Sequence, residues 1–152
     1  MYEQSSGGTW LQTAFLTANN AVNSDEFGYS VALRGDVAII GALNRSTPTQ
    51  SAGAAYVFQR RSDGTWSEIA QLVAPDGAPY DHFGAAVALS ADTAVVGAPD
   101  HDLNAIDIEA GAAYAFSISR DLDGNNVMDA CECLGDLNAD RAIDELDLGL
   151  LL

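Results

Sequence analysis

Apolar residues fall in short runs of about six along the first 118 residues, and Gly, Asp and Ser punctuate them. Phe27-Gly28-Tyr29-Ser30-Val31-Ala32-Leu33 leads through Arg34-Gly35-Asp36 into Val37-Ala38-Ile39-Ile40-Gly41-Ala42. β-Rich runs of this length bounded by turn formers predict two strands joined by a tight hairpin. A polar loop follows, then Ala54-Ala55-Tyr56-Val57-Phe58, a turn at Ser62-Asp63-Gly64-Thr65, and a fourth run at Trp66–Leu72. No stretch of this region has the helical period.

The pattern then repeats. Trp10 recurs as Trp66, Phe27-Gly28 as Phe83-Gly84 and Gly41-Ala42 as Gly97-Ala98, each 56 residues on. Gly53-Ala54-Ala55-Tyr56 recurs as Gly111-Ala112-Ala113-Tyr114 at an offset of 58, so the loop before it has grown by two. The second unit therefore predicts strands at Phe83–Leu89 and Thr93–Ala98 around the turn Ser90-Ala91-Asp92. Four short strands per unit are what one blade of a β-propeller requires, and glycines beside aromatics permit close approach where blades stack. The fold class expected is all-β: two four-stranded propeller blades, then a small calcium-loop segment with a short C-terminal helix.

The Phe27-Gly28 and Gly41-Ala42 pairs, with Phe83-Gly84, Gly97-Ala98-Pro99 and the trailing Gly-Ala-Ala-Tyr strands, resemble the FG-GAP repeat. That family supplies the blades of integrin-like β-propellers. The first unit departs from the pattern in carrying Leu43 where the second has Pro99. The resemblance spans about residues 9–118, with blades at about 9–58 and 66–116, and it implies a fold rather than a chemistry. Propellers close with about four to eight blades. Two blades and a leading remnant at Tyr2–Gly8 leave sheet edges open to pairing. Further blades are expected either from sequence beyond this chain or from self-association.

At Asp121 the composition changes, and residues 119–152 read as a separate tail. Numbered as a twelve-residue loop, Asp121, Asp123 and Asn125 stand at positions 1, 3 and 5, Asp129 at 9 and Glu132 at 12, with the Val127 carbonyl at 7. A second loop puts Asp136, Asn138, Asp140, Asp144 and Asp147 at the same positions, with the Ala142 carbonyl at 7. Calcium takes six to eight oxygen ligands, and alternate residues of a tight loop direct carboxylates at one centre. Both loops are therefore candidate Ca2+ sites. Position 6 ordinarily needs Gly for a sharp turn. Asn126 tolerates the left-handed backbone there, whereas Arg141 does so less readily and brings a positive charge, so the second loop is expected to be the weaker site.

Gly135-Asp136-Leu137-Asn138-Ala139-Asp140 through Asp147-Leu148-Gly149-Leu150-Leu151-Leu152 resembles one half of a type I dockerin, and the loop ending Asp129-Ala130-Cys131-Glu132 resembles a thrombospondin type 3 calcium repeat. The dockerin resemblance implies docking onto a cohesin-like partner in an extracellular assembly. The loop starts are 15 residues apart, which leaves no room for the helix of a complete dockerin between them.

Charge agrees with this picture. The net charge is −16, with six arginines and no lysine. Such a chain is expected to avoid nucleic acid and anionic membranes, which need basic side chains to replace counterions. No apolar run reaches the length of about 20 residues that spans a bilayer. No signal peptide is visible either, although an extracellular or cell-surface location is expected from the repeats and tail. Cys131 and Cys133 are too close to form an unstrained disulfide with each other, and they are either free thiols or paired outside the chain. Arg34-Gly35-Asp36 spells an integrin-recognition tripeptide, yet it aligns with the turn Ser90-Ala91-Asp92 and reads as a hairpin. Asp100-His101-Asp102-Leu103-Asn104 alternates acids like a blade calcium loop but has Ile108 at position 9. His82 and His101 read as surface loop residues. No catalytic constellation is found, and a non-enzymatic binding protein is the expected class; the alternative is an accessory portion of a secreted polysaccharide-degrading enzyme.

Overall fold

The computed structural model describes residues 1–46, 49–90, 92–102 and 110–118. Met1–Ser117 form one compact unit. Its described residues are all-β: β1 (Tyr2–Gln4), β2 (Trp10–Gln12), β3 (Phe27–Arg34), β4 (Val37–Ala42), β5 (Ala54–Arg60), β6 (Trp66–Leu72), β7 (Ala86–Leu89), β8 (Thr93–Ala98) and β9 (Ala112–Ser117). The calcium-loop segment and helix expected between Asp121 and Leu152 lie outside the described residues, as does the place of a fourth strand after β9.

Strands β3–β4–β5–β6 form an antiparallel four-stranded meander, the first blade. Its inner hairpin turns on Gly35-Asp36, with Arg34 paired to Val37 and Gly35 at φ 56°. Glycine at the first central position of a two-residue loop matches the twist of the flanking strands. The Arg-Gly-Asp sequence is thus a hairpin turn, as its repeat position indicates. The outer hairpin turns on Asp63-Gly64, where the Asp63 carboxylate accepts from the Thr65 amide at 2.8 Å.

Strands β7–β8–β9 repeat the register of β3–β4–β5. Val31 pairs with Ile40 as Val87 pairs with Val96, and Ile40 with Tyr56 as Val96 with Tyr114. The β1–β2 hairpin echoes the outer pair of a blade, because Tyr2 opposite Gln12 and Gln4 opposite Trp10 match Phe58 opposite Glu68 and Arg60 opposite Trp66.

β7 begins three residues later than the sequence pattern predicts. Phe83 is drawn away from its own sheet into a parallel bridge with Gly53 of the first blade. Its amide donates to the Ala52 carbonyl at 2.9 Å, and the Tyr80 amide donates to Gln50 at the same distance. The Gly84 carbonyl lies over Gly41 and accepts from Ser30 Oγ at 2.7 Å. A Cβ on Gly41 would overlap that carbonyl, and one on Gly53 would overlap the Phe83 backbone. Blade stacking therefore depends on glycine at these two places.

The core follows from strand alternation. Ala38, Ile40 and Ala42 point to one face of β4 with Tyr56 and Phe58, and Leu16, Ala18 and Trp66 cover them. Val37, Ile39 and Gly41 point to the other face, toward the second blade. Ala94, Val96 and Ala98 of β8 are buried against the first blade in turn.

Candidate functional site

Both blades carry a buried carboxylate just before their Phe-Gly pair. Asp25 is 5% exposed and Asp81 is 2% exposed. Each sits between two non-glycine residues with left-handed backbone: Ser24 (φ 69°) and Glu26 (φ 54°) in the first blade, Tyr80 (φ 70°) and His82 (φ 56°) in the second. Such conformations persist where surrounding contacts over-determine them. Asp25 Oδ2 accepts from the Val22 amide and Asp81 Oδ2 from the Ala78 amide, at 2.9 and 2.8 Å. This closes a four-residue turn in each case.

The same oxygen takes a second partner from the loop after the second strand of its blade. Arg45 Nη1 donates to Asp25 at 2.9 Å, and His101 Nδ1 lies 2.8 Å from Asp81. Arg45 and His101 occupy equivalent repeat positions, and each backbone carbonyl accepts from the glycine opening the third strand, Gly53 or Gly111, at 2.9 Å. One buried carboxylate thus fastens two loops at the same end of each blade.

The second blade surrounds its latch with further titratable groups. Tyr114 donates to Asp76 at 2.7 Å, as Tyr56 donates to Asn20 at 3.0 Å in the first blade. His101 Nε2 is 3.7 Å from Asp76. The hydrogen bond to Asp81 raises the His101 pKa above the ordinary imidazole value; burial opposes this, while the charges of Asp81, Asp76 and Asp102 add to it. Burial, then the bond to Asp76, pushes the Tyr114 hydroxyl far above its usual range. The same bond lowers the Asp76 carboxyl. His82 Nδ1 meets Asp100 at 2.5 Å.

His101 is therefore not a surface residue, contrary to the sequence expectation, whereas His82 is a partly exposed loop residue paired with Asp100. His101 is 6% exposed because it fills the place Arg45 holds in the other blade. The signal was present in the sequence, since Asp25 and Arg45 recur as Asp81 and His101 at the repeat offset of 56. Residue type masks it, because Arg and His differ although both present N–H donors to equivalent carboxylates.

Of the weak loop candidate, Asp100 is engaged with His82, His101 turns inward to Asp81, and Leu103, Asn104 and Ile108 lie outside the described residues. All twelve residues expected to ligate calcium, from Asp121 to Asp147, lie outside them too. Among the described residues no group of three or more His, Cys, Asp or Glu side chains is arranged to hold a metal ion.

The aromatic side of the latch repeats as well. Phe27 packs edge-on against Tyr56 and Phe58, and Phe83 against Tyr114 and Phe116, at centroid separations of 5.5–6.0 Å. The family model for the FG-GAP repeat matches residues 10–58 and 66–116, which together exceed half of the 152 residues. The chain belongs to the FG-GAP repeat family. The phenylalanine and glycine that characterise these FG-GAP units are the residues that carry one blade onto the next. FG-GAP units of this kind mark a β-propeller, adhesion-type module. No curated protein matches the chain.

Proposed function

We propose that this FG-GAP protein is a calcium-binding, non-enzymatic extracellular binding protein, with its blades as the binding scaffold and the tail as a calcium module. The reading rests above all on the ligand spacing in Asp121–Asp147, where two successive loops carry oxygen-bearing side chains at positions 1, 3, 5, 9 and 12. Asp121, Asp123, Asp129 and Glu132 supply carboxylates to the first site, with Asn125 and the Val127 carbonyl. Asp136, Asp140, Asp144 and Asp147 do so in the second, with Asn138 and the Ala142 carbonyl. The donors are all hard oxygens, which suits calcium rather than a softer metal. Bound calcium offsets the repulsion among four carboxylates in each loop and acts as a structural ion. Affinities in the extracellular range of about 10⁻⁴–10⁻³ M suit loops that lack glycine at position 6.

The blades support the binding half of the reading. Their buried acids are engaged in holding loops, which leaves the loop surface as scaffold for a ligand. Calorimetric titration with calcium is expected to give two sites in the wild type and one in each of Asp121→Ala and Asp136→Ala. If neither substitution alters stoichiometry or affinity, the calcium reading fails.

The dockerin-like stretch Gly135–Leu152 favours a second reading, in which the chain is the accessory end of a secreted polysaccharide-degrading enzyme anchored to a cohesin-like partner. Calcium-dependent capture by an immobilised cohesin module would support it, and Asp136→Ala would abolish that capture.

A further inference from the structure

The two blades present the same downstream face, and one of the two is covered. On the first blade Val37, Ile39, Ala55 and Val57 are at most 8% exposed because the second blade lies over them. The equivalent Val95 is 40% exposed, and Ala113 and Ala115 are exposed. The place where Phe83-Gly84 rests on the first blade has its counterpart on the second in a hollow of about 550 Å³, whose lining includes Ala86, Gly97, Ala98, Gly111 and Ala112. Gly97 corresponds to Gly41, yet a Cβ there would meet nothing nearer than the Ala86 methyl at 3.6 Å.

The opposite face shows the complementary difference. Val87 and Leu89 are half-buried against the first blade, whereas the equivalent Val31 and Leu33 are 68% and 58% exposed. A Cβ on Gly84 would overlap the Ala54 carbonyl, while one on Gly28 would find nothing within 4 Å. Phe27, Gly28, Val31 and Leu33 border a hollow of about 820 Å³. Among the described residues, one Phe-Gly is seated, one Phe-Gly has no seat, and one seat holds no Phe-Gly.

We propose that the seat on the second blade receives the Phe27-Gly28 edge of a second copy of this chain, so that copies associate head to tail. The occupant is specified by the intramolecular interface: the residue types that meet between blades one and two recur on the two open faces. Apolar surface on both sides supplies the driving force, and glycine at 97 permits the carbonyl of Gly28 to approach the sheet. Phe116, Ser117 and Ile118 share repeat positions with Tyr2, Glu3 and Gln4, so docking requires β1 to give up its place to the incoming strand. Heterologous contacts of this kind close into rings or extend into fibres. A propeller of about four to eight blades corresponds to rings of about two to four copies. The proposal does not depend on calcium.

Sedimentation velocity of the full chain over about 1–100 μM is expected to show concentration-dependent association. Gly97→Leu fills the seat in a place where the free chain has room for a side chain. Leu33→Asp charges the opposite face at an exposed position. Each variant should remain folded by circular dichroism and associate at least about tenfold more weakly than wild type. An equimolar mixture should form a heterodimer that grows no further, because one partner keeps the edge and the other keeps the seat. A wild type that stays monomeric overturns the proposal. So does association unchanged in both folded variants, or a mixture that remains monomeric. In EDTA the association should persist; its loss there would assign the contact to the calcium tail and overturn the proposal while supporting the calcium reading.

Discussion

Phe27 and Phe83 hold the same place in successive repeats and pack against equivalent aromatic pairs, yet Phe83 is sealed from solvent and Phe27 is partly exposed. Their local structure is alike: the following glycine has φ 93° in one blade and 94° in the other. What differs is the neighbour. Phe83 lies on Gly53 and donates its amide to the Ala52 carbonyl, whereas among the described residues the first blade has the N-terminal segment on its upstream side. In a repeat protein each unit contributes its own fold, and the interface with the next unit contributes a separate share of stability. The two blades differ mainly in that second share.

The largest effect should come from removing the seated ring. Phe83→Ala empties a filled site that joins two sheets and is expected to cost about 3–5 kcal/mol in urea denaturation. Phe27→Ala should cost roughly half as much, since part of that ring is already in water. Equal losses would mean that the blade interface adds little. A smaller difference is expected at the paired glycines. Gly41→Ala forces the second blade off the sheet and should cost about 1–3 kcal/mol, while Gly97→Ala should be within about 0.5 kcal/mol of wild type in a monomeric sample. Similar values at the two sites would show that the second blade does not press on the first as described.

The smallest effect concerns the latches, where one blade uses a permanent cation and the other a titrating one. The folded-state pKa of His101 is raised, so its contribution is fully present below the ordinary imidazole value of about 6.5 and is lost as pH rises through the raised value. Thermal stability should therefore decline over that window on going to alkaline pH. His101→Arg, which copies the first blade, should flatten this decline, as judged by melting temperature between acid and mildly alkaline buffers. A wild-type profile that is flat there would remove His101 as the source.

Much of the fold was legible because repetition doubles every local signal. Gly35-Asp36 and Asp63-Gly64 identified both hairpins of the first blade from turn chemistry alone. The latches were harder to see. Asp25 and Asp81 look like ordinary loop acids until the chain folds, and only then are they found buried beside Arg45 and His101. The late start of β7 was equally hidden, because Phe83-Gly84 reads as a strand and leaves its sheet to bind a different one.

The sequence by itself determined the strand pattern, the repeat offset, the turns, the FG-GAP membership and the spacing of oxygen-bearing side chains in the tail, since each depends on residue type at short range. The tertiary structure decided which of two identical Phe-Gly pairs is seated, which of two equivalent sheet faces is covered, and that a histidine does the work of an arginine. These depend on what lies across from a residue in space, and a repeating sequence offers the same residue the same neighbours in every copy.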